Sequence, residues 1–204
     1  MLSPTNLIRS ILNKKFWIFD LDGTLTIPVH DFPGIRKQLG VPDGMDILDH
    51  VSQQTEKKKK ELLETLNSIE VKLADQSKPA EGTMELISTL NKNKVALGVI
   101  TRNTKENAKV SLEKIGILSS FKENCILGRE DAPPKPDPTG IRHLLSIWGV
   151  KPIEAVMVGD YLFDLQAGKA AGTSTIHVDY FNNNDWKNLT DIQIKSLKEL
   201  IMMF

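Results

Sequence analysis

Five short apolar runs recur along the chain, each closed by polar or glycine residues: FWIF at 16–19, VALGVI at 95–100, CIL at 125–127, AVMVG at 155–159 and STIHV at 174–178. Runs this short, with no polar alternation, suit parallel strands buried on both faces. The stretches between them carry apolar residues at three- and four-residue spacing instead: Met84, Leu86, Ile87 and Leu90, then Ala108, Leu112 and Ile115, then Ile141, Leu144, Leu145 and Trp148. Strands alternating with helices predict an α/β fold, a three-layer α/β/α core around a parallel sheet. Gly116 and Gly149 each follow a helical run and read as helix stops.

Residues 29–78 break this alternation and contain no convincing strand. They read as an inserted helical unit, which divides the chain into a core of 1–28 and 79–204 and a small α-helical insertion of 29–78. Leu62, Leu66, Ile69 and Leu73 give one apolar stripe on a helix from about Ser52 to Gln76. The lysine run Lys57–Lys60 reads as its solvated face. SKPAEG at 77–82 supplies the Pro and Gly that punctuate the return to the core, and YFNNNDW at 180–186 reads as a polar loop after the last strand.

With 204 residues, the chain is long enough for one domain with a smaller insert. Lys plus Arg and Asp plus Glu both number 26, so no overall field draws it to nucleic acid or to an anionic membrane. The single cysteine, Cys125, excludes an internal disulfide and reads as a buried small hydrophobe. No apolar run reaches the roughly 20 residues of a membrane span, and the first 15 residues lack a signal-peptide core. A cytoplasmic protein is therefore expected, monomeric or homodimeric. Import into an organelle is left open by the acid-free start, although Leu7, Ile8, Ile11 and Leu12 there read as a short helix packed on the core.

The candidate chemistry falls at the carboxyl ends of the predicted strands, where open α/β sheets bind their ligands. Asp20 and Asp22 follow the first strand, with a Gly-Thr turn after them. Thr101, Arg102 and Asn103 follow the second, before a helix that starts near Thr104 and whose free N–H groups suit an anion. After the third strand Lys135 stands among four prolines in DAPPKPDPTG, which stiffen the loop and fix where the lysine points. Asp160 ends the fourth strand, with Asp164 about one helical turn on. His50, His143 and His177 show no metal-ligand spacing, so zinc has little support. His30, Asp31 and Arg36 read as solvating or capping groups.

Taken in order, DLDGT, the Thr of VITRN, the Lys of PPKPD and GDYLFD resemble the motifs of the haloacid dehalogenase superfamily, from about Lys15 to Asp179. The resemblance implies a Rossmann-like core with a helical cap inserted after the first motif, as in phosphoglycolate phosphatases and β-phosphoglucomutases. It implies a Mg2+-dependent phosphatase of a small phosphorylated metabolite. Asp20 would be the nucleophile that becomes an aspartyl-phosphate, and Asp22 the general acid and base. Asp20, the Asp22 carbonyl and Asp160 would hold Mg2+, with Asp164 behind them. Thr101 and Lys135, with Arg102 and Asn103, would bind the phosphoryl oxygens. A phosphomutase, or a non-catalytic binding protein on the same fold, is the alternative. Asp22 weighs against dehalogenation.

Overall fold

The computed structural model describes residues 4–182 and 186–204. Six parallel strands form one sheet in the order β3-β2-β1-β4-β5-β6: β1 is Phe16–Phe19, β2 Ala96–Ile100, β3 Ile126–Leu127, β4 Ala155–Gly159, β5 Ser174–Val178 and β6 Ile192–Ile194. The first five are the apolar runs of the sequence, trimmed by a residue at Val95 and Cys125.

Period-two alternation divides the strand side chains between two cores. Trp17 and Phe19 of β1 point to one face with Val99, Val156 and Ile176, covered by α1 (Pro4–Leu12), α5 (Thr83–Lys92), α6 (Lys105–Lys114) and α9 (Leu197–Ile201). Ile18 points to the other with Ile100 and Met157, covered by α7 (Thr139–Trp148) and α8 (Leu162–Ala171). This is the expected three-layer α/β/α, Rossmann-like architecture. Ile11 and Leu12 of α1 are buried against the sheet as predicted, while Leu7 stays exposed. Gly149 takes a left-handed conformation, φ 66°, and its N–H reaches the Leu145 and Ser146 carbonyls, ending α7.

β6 and α9 follow the strand read as the last, and Ile192, Ile194, Leu197 and Leu200 complete the first core. Of the loop predicted at 180–186, residues 183–185 lie outside the described residues. Trp186 at its end is not a solvated loop residue: its ring packs 5.0 Å from His177 and 5.7 Å from Tyr161.

Between β1 and α5 come α2 (Phe32–Leu39), α3 (Ile47–Ser52) and α4 (Glu56–Asp75), with an apolar cluster of their own that includes Ile35, Leu39, Val51, Leu62 and Leu66. Along α4 the buried line is Leu62, Leu66, Glu70 and Ala74, not the predicted stripe through Ile69 and Leu73, which are half-buried. The line turns toward α6, against which α4 lies: Asn107 Nδ2 donates to Asn67 Oδ1 at 3.0 Å, Ser77 Oγ to Ser111 Oγ at 3.0 Å, and Lys114 pairs with Asp75 at 2.7 Å. No helix among the described residues is long and apolar enough to cross a membrane.

Candidate active site

The chain builds β1, β2 and β3 outward to one side and then returns to lay β4, β5 and β6 on the other. The crevice at the carboxyl ends of β1 and β4 is thus the point where strand order reverses, the usual ligand position of open α/β sheets. Asp20 and Asp160 stand at those two neighbouring ends, and the Asp20 N–H donates to the Val158 carbonyl at 2.9 Å.

Asp20, Asp160 and Asp164 each offer a carboxylate oxygen within 4.8 Å of the others. Lys135, 2 % exposed, enters this cluster from the rigid loop: its Nζ donates to Asp20 at 2.5 Å and to the Ile100 carbonyl at 2.7 Å, and pairs with Asp164 at 2.7 Å. Asp164 also caps the start of α8, accepting from the Tyr161 N–H at 3.0 Å. The Thr24 hydroxyl donates to Asp160 at 2.8 Å and orients it. Gly23 makes the close approach possible: at φ 94°, a Cβ there would meet Asp160 Oδ2 at 2.5 Å.

Burial pushes Asp20 well above the usual carboxylate range, with Lys135 opposing and Asp164 and Asp160 adding to the rise. Burial and the Asp164 charge raise Asp160 to about 7. Burial would lower Lys135, but Asp164 and Asp20 outweigh it and hold the ammonium above its ordinary value. Two buried carboxylates, Asp20 and Asp164, and the half-buried Asp160 thus face one ammonium. That excess of negative charge, on hard oxygen ligands oriented by Thr24, fits a divalent cation of the Mg2+ class.

Asp22, Thr101, Arg102 and Asn103 line the same cavity, of about 600 Å³, as Asp20, Lys135, Asp160 and Asp164. All eight residues expected from the sequence are therefore gathered at one place. Thr101 is 3 % exposed, and its Oγ accepts from the Asn103 N–H at 3.0 Å. The Asn103 side-chain oxygen accepts from Thr104 N at 2.7 Å and Asn107 Nδ2 at 2.9 Å, bracing the start of α6. The Arg102 guanidinium turns to α3 and the lysine loop: it pairs with Asp46 at 2.5 Å, donates to the Lys135 carbonyl and lies 4.8 Å over the Phe163 ring. Asp31 caps α2 as expected, accepting from Gly34 N at 3.0 Å, while His30 and Arg36 line the cavity.

The sequence reading missed a second link. Glu70 of α4 and Arg129, just beyond β3, form a bidentate pair at 2.8 Å for both contacts, with side chains 8 % and 11 % exposed. Both line the cavity. A carboxylate four residues after Leu66, on the helix's buried line, was the available clue.

A parallel α/β sheet with an acidic cluster and a buried lysine at its switch point defines a charged ligand site of the Rossmann-like class. The family model described as haloacid dehalogenase-like hydrolase matches residues 35–178, and the chain belongs to that family. It is a hydrolase. It is 30 % identical to an uncharacterized hydrolase of Saccharomyces cerevisiae over 95 % of this chain and 92 % of that protein. It is 27 % identical to a phosphoglycolate phosphatase of Chromobacterium violaceum, over 89 % and 92 %. Among solved structures, a hydrolase from Pseudomonas syringae superposes with a TM-score of 0.76 at 22 % identity, covering 93 % of this chain and 96 % of that one.

Proposed function

We propose that the chain hydrolyses a small phosphomonoester in a Mg2+-dependent reaction through an aspartyl-phosphate on Asp20. The observation that carries this reading is Lys135, buried and bonded to both Asp20 and Asp164 at the switch point of the sheet. In the first step an Asp20 carboxylate oxygen attacks phosphorus, the bond from phosphorus to the leaving oxygen breaks, and Asp22 gives that oxygen its proton. In the second, water attacks the same phosphorus, Asp22 takes its proton, phosphate leaves and the Asp20 carboxylate is restored.

Asp20, the Asp22 carbonyl and Asp160 would hold Mg2+, with Asp164 bracing Lys135. When bound, the cation supplies charge that lets an anionic nucleophile approach an anionic phosphate. Lys135 and Thr101, with N–H groups at the start of α6, stabilise charge on the transferring oxygens. Residues 29–78 act as a cap that keeps bulk water from the site. Phosphate release from a panel of phosphomonoesters, with and without Mg2+, tests the reading. Silence across the panel from a folded protein rejects it.

A further inference from the structure

The region of the cavity beyond the phosphate site differs from what a substrate with a second anionic group would need. Its three guanidinium groups already have partners. Arg102 is held by Asp46, the Lys135 carbonyl and the face of Phe163. Arg129 is bidentate to Glu70 and donates to the Arg102 carbonyl at 3.3 Å. Arg36 donates to the Pro42 carbonyl at 2.6 Å. Asp43 adds a further negative charge to the wall. A carboxylate or second phosphate drawn to Arg102 or Arg129 would have to displace Asp46 or Glu70, and the displaced carboxylate would stay beside it at a like-charge cost, while Arg36, bonded to a neutral carbonyl, shares its wall with the Asp43 carboxylate.

The remaining wall is apolar. Ile35, Met45, Ile47 and Leu48 line it from the α2–α4 unit, and Phe163 from α8. Phe32, 56 % exposed at the head of α2, stacks on His30 with centroids 5.4 Å apart and rings 15° from parallel. The Tyr161 ring, also lining the cavity, meets Phe163 edge-on at 5.1 Å. Four flat rings among the lining residues, His30, Phe32, Tyr161 and Phe163, and a volume of about 600 Å³ suit a drug-sized apolar body rather than a two-carbon acid.

Building on the phosphatase reading, we infer that the substrate is the phosphate ester of an uncharged alcohol with a flat or apolar body, and that Phe32 and the Arg102–Asp46 pair set this preference. A hydrophobic pocket of this kind gives discrimination on the order of tenfold or more.

The test compares esters of aliphatic alcohols, so that leaving-group chemistry stays similar: 2-phenylethyl phosphate, glycerol 3-phosphate and phosphoglycolate, with pyrophosphate added. Wild-type kcat/KM is expected to be about tenfold or more higher for 2-phenylethyl phosphate than for phosphoglycolate or pyrophosphate. Phe32→Ala should raise KM for 2-phenylethyl phosphate severalfold more than KM for glycerol 3-phosphate. Asp46→Asn, which frees Arg102, should raise phosphoglycolate turnover relative to 2-phenylethyl phosphate. A wild-type preference for phosphoglycolate or pyrophosphate overturns the inference and leaves the phosphatase reading standing. Phosphate release from none of the four, with Mg2+ present, overturns both.

Discussion

Asp20 and Asp22 are separated by one residue but occupy different surroundings, and their substitutions should differ. Asp20 is buried against Lys135, whereas Asp22 is half-buried and lines the cavity. On the proposed mechanism Asp20→Asn removes the nucleophile, so phosphate release should fall to background. On the same proposal Asp22→Asn would remove only proton transfer, with an expected loss of about 10²–10⁴-fold in kcat and little change in Mg2+ affinity, since its metal contact would be a carbonyl. Unchanged turnover in either folded variant would contradict the mechanism. Gly23 offers a third probe. Gly23→Ala forces a side chain into φ 94° and within 2.5 Å of Asp160 Oδ2, so Asp160 must shift. We expect a loss of about 1–3 kcal/mol in stability, read by urea unfolding, together with weaker Mg2+ binding by calorimetry. These residues were legible in the sequence because each stands at the end of an apolar strand, a position that local pattern defines.

Elements were legible to the extent that their own pattern specifies them. The first five strands, buried except for the half-buried first residue of β1, β2 and β5, declared themselves as continuous apolar runs. β6 did not, because three residues with only Ile192 and Ile194 buried give too short an alternation to register. The pairing of Glu70 with Arg129 and of Asp46 with Arg102 was hidden for another reason: the partners are 59 and 56 positions apart, and local periodicity, which could flag Glu70 alone, does not encode them. The first pair fastens α4 to the loop after β3. Burial pushes the Glu70 carboxyl above its usual range and Arg129 pulls it back only in part, so the pair's contribution comes from fit rather than from net Coulomb gain. Glu70→Ala would leave Arg129 charged and buried without its partner. The expected cost is about 3–5 kcal/mol in chemical denaturation. Replacing both residues with apolar ones of similar volume should cost much less. A Glu70→Ala loss below about 1 kcal/mol would mean that Arg129 finds water or another acceptor.

At the scale of the whole molecule, the acidic cluster ties stability to pH and, on the proposed function, would tie it to Mg2+. The folded-state value of Asp160 is about 7, against the ordinary 3.8. Between these values the folded protein keeps a proton that the unfolded chain has released, so metal-free stability falls as pH rises through that window. Glu70, also raised by burial, acts in the same direction. His177, buried and therefore pushed below its ordinary 6.5, acts in the opposite one: it adds stability as pH rises toward 6.5. Lys135, held above its ordinary 10.5, keeps its full contribution throughout the window and loses it only at more alkaline pH. A bare melting profile therefore mixes opposing terms. The Mg2+-induced rise in Tm separates them, because neither His177 nor Glu70 belongs to the acidic group that could hold the ion. Mg2+ must displace the Asp160 proton at about pH 5.5 but meets the ionised carboxylate at about pH 7.5, so its stabilising shift should be clearly larger at the higher pH. Asp160→Asn, which has no proton to displace, should reduce the shift and weaken its pH dependence, leaving the part that comes from Asp20, which burial also raises. An equal Mg2+ shift at both pH values in the unmodified protein would show that the ion binds away from the strand-end carboxylates.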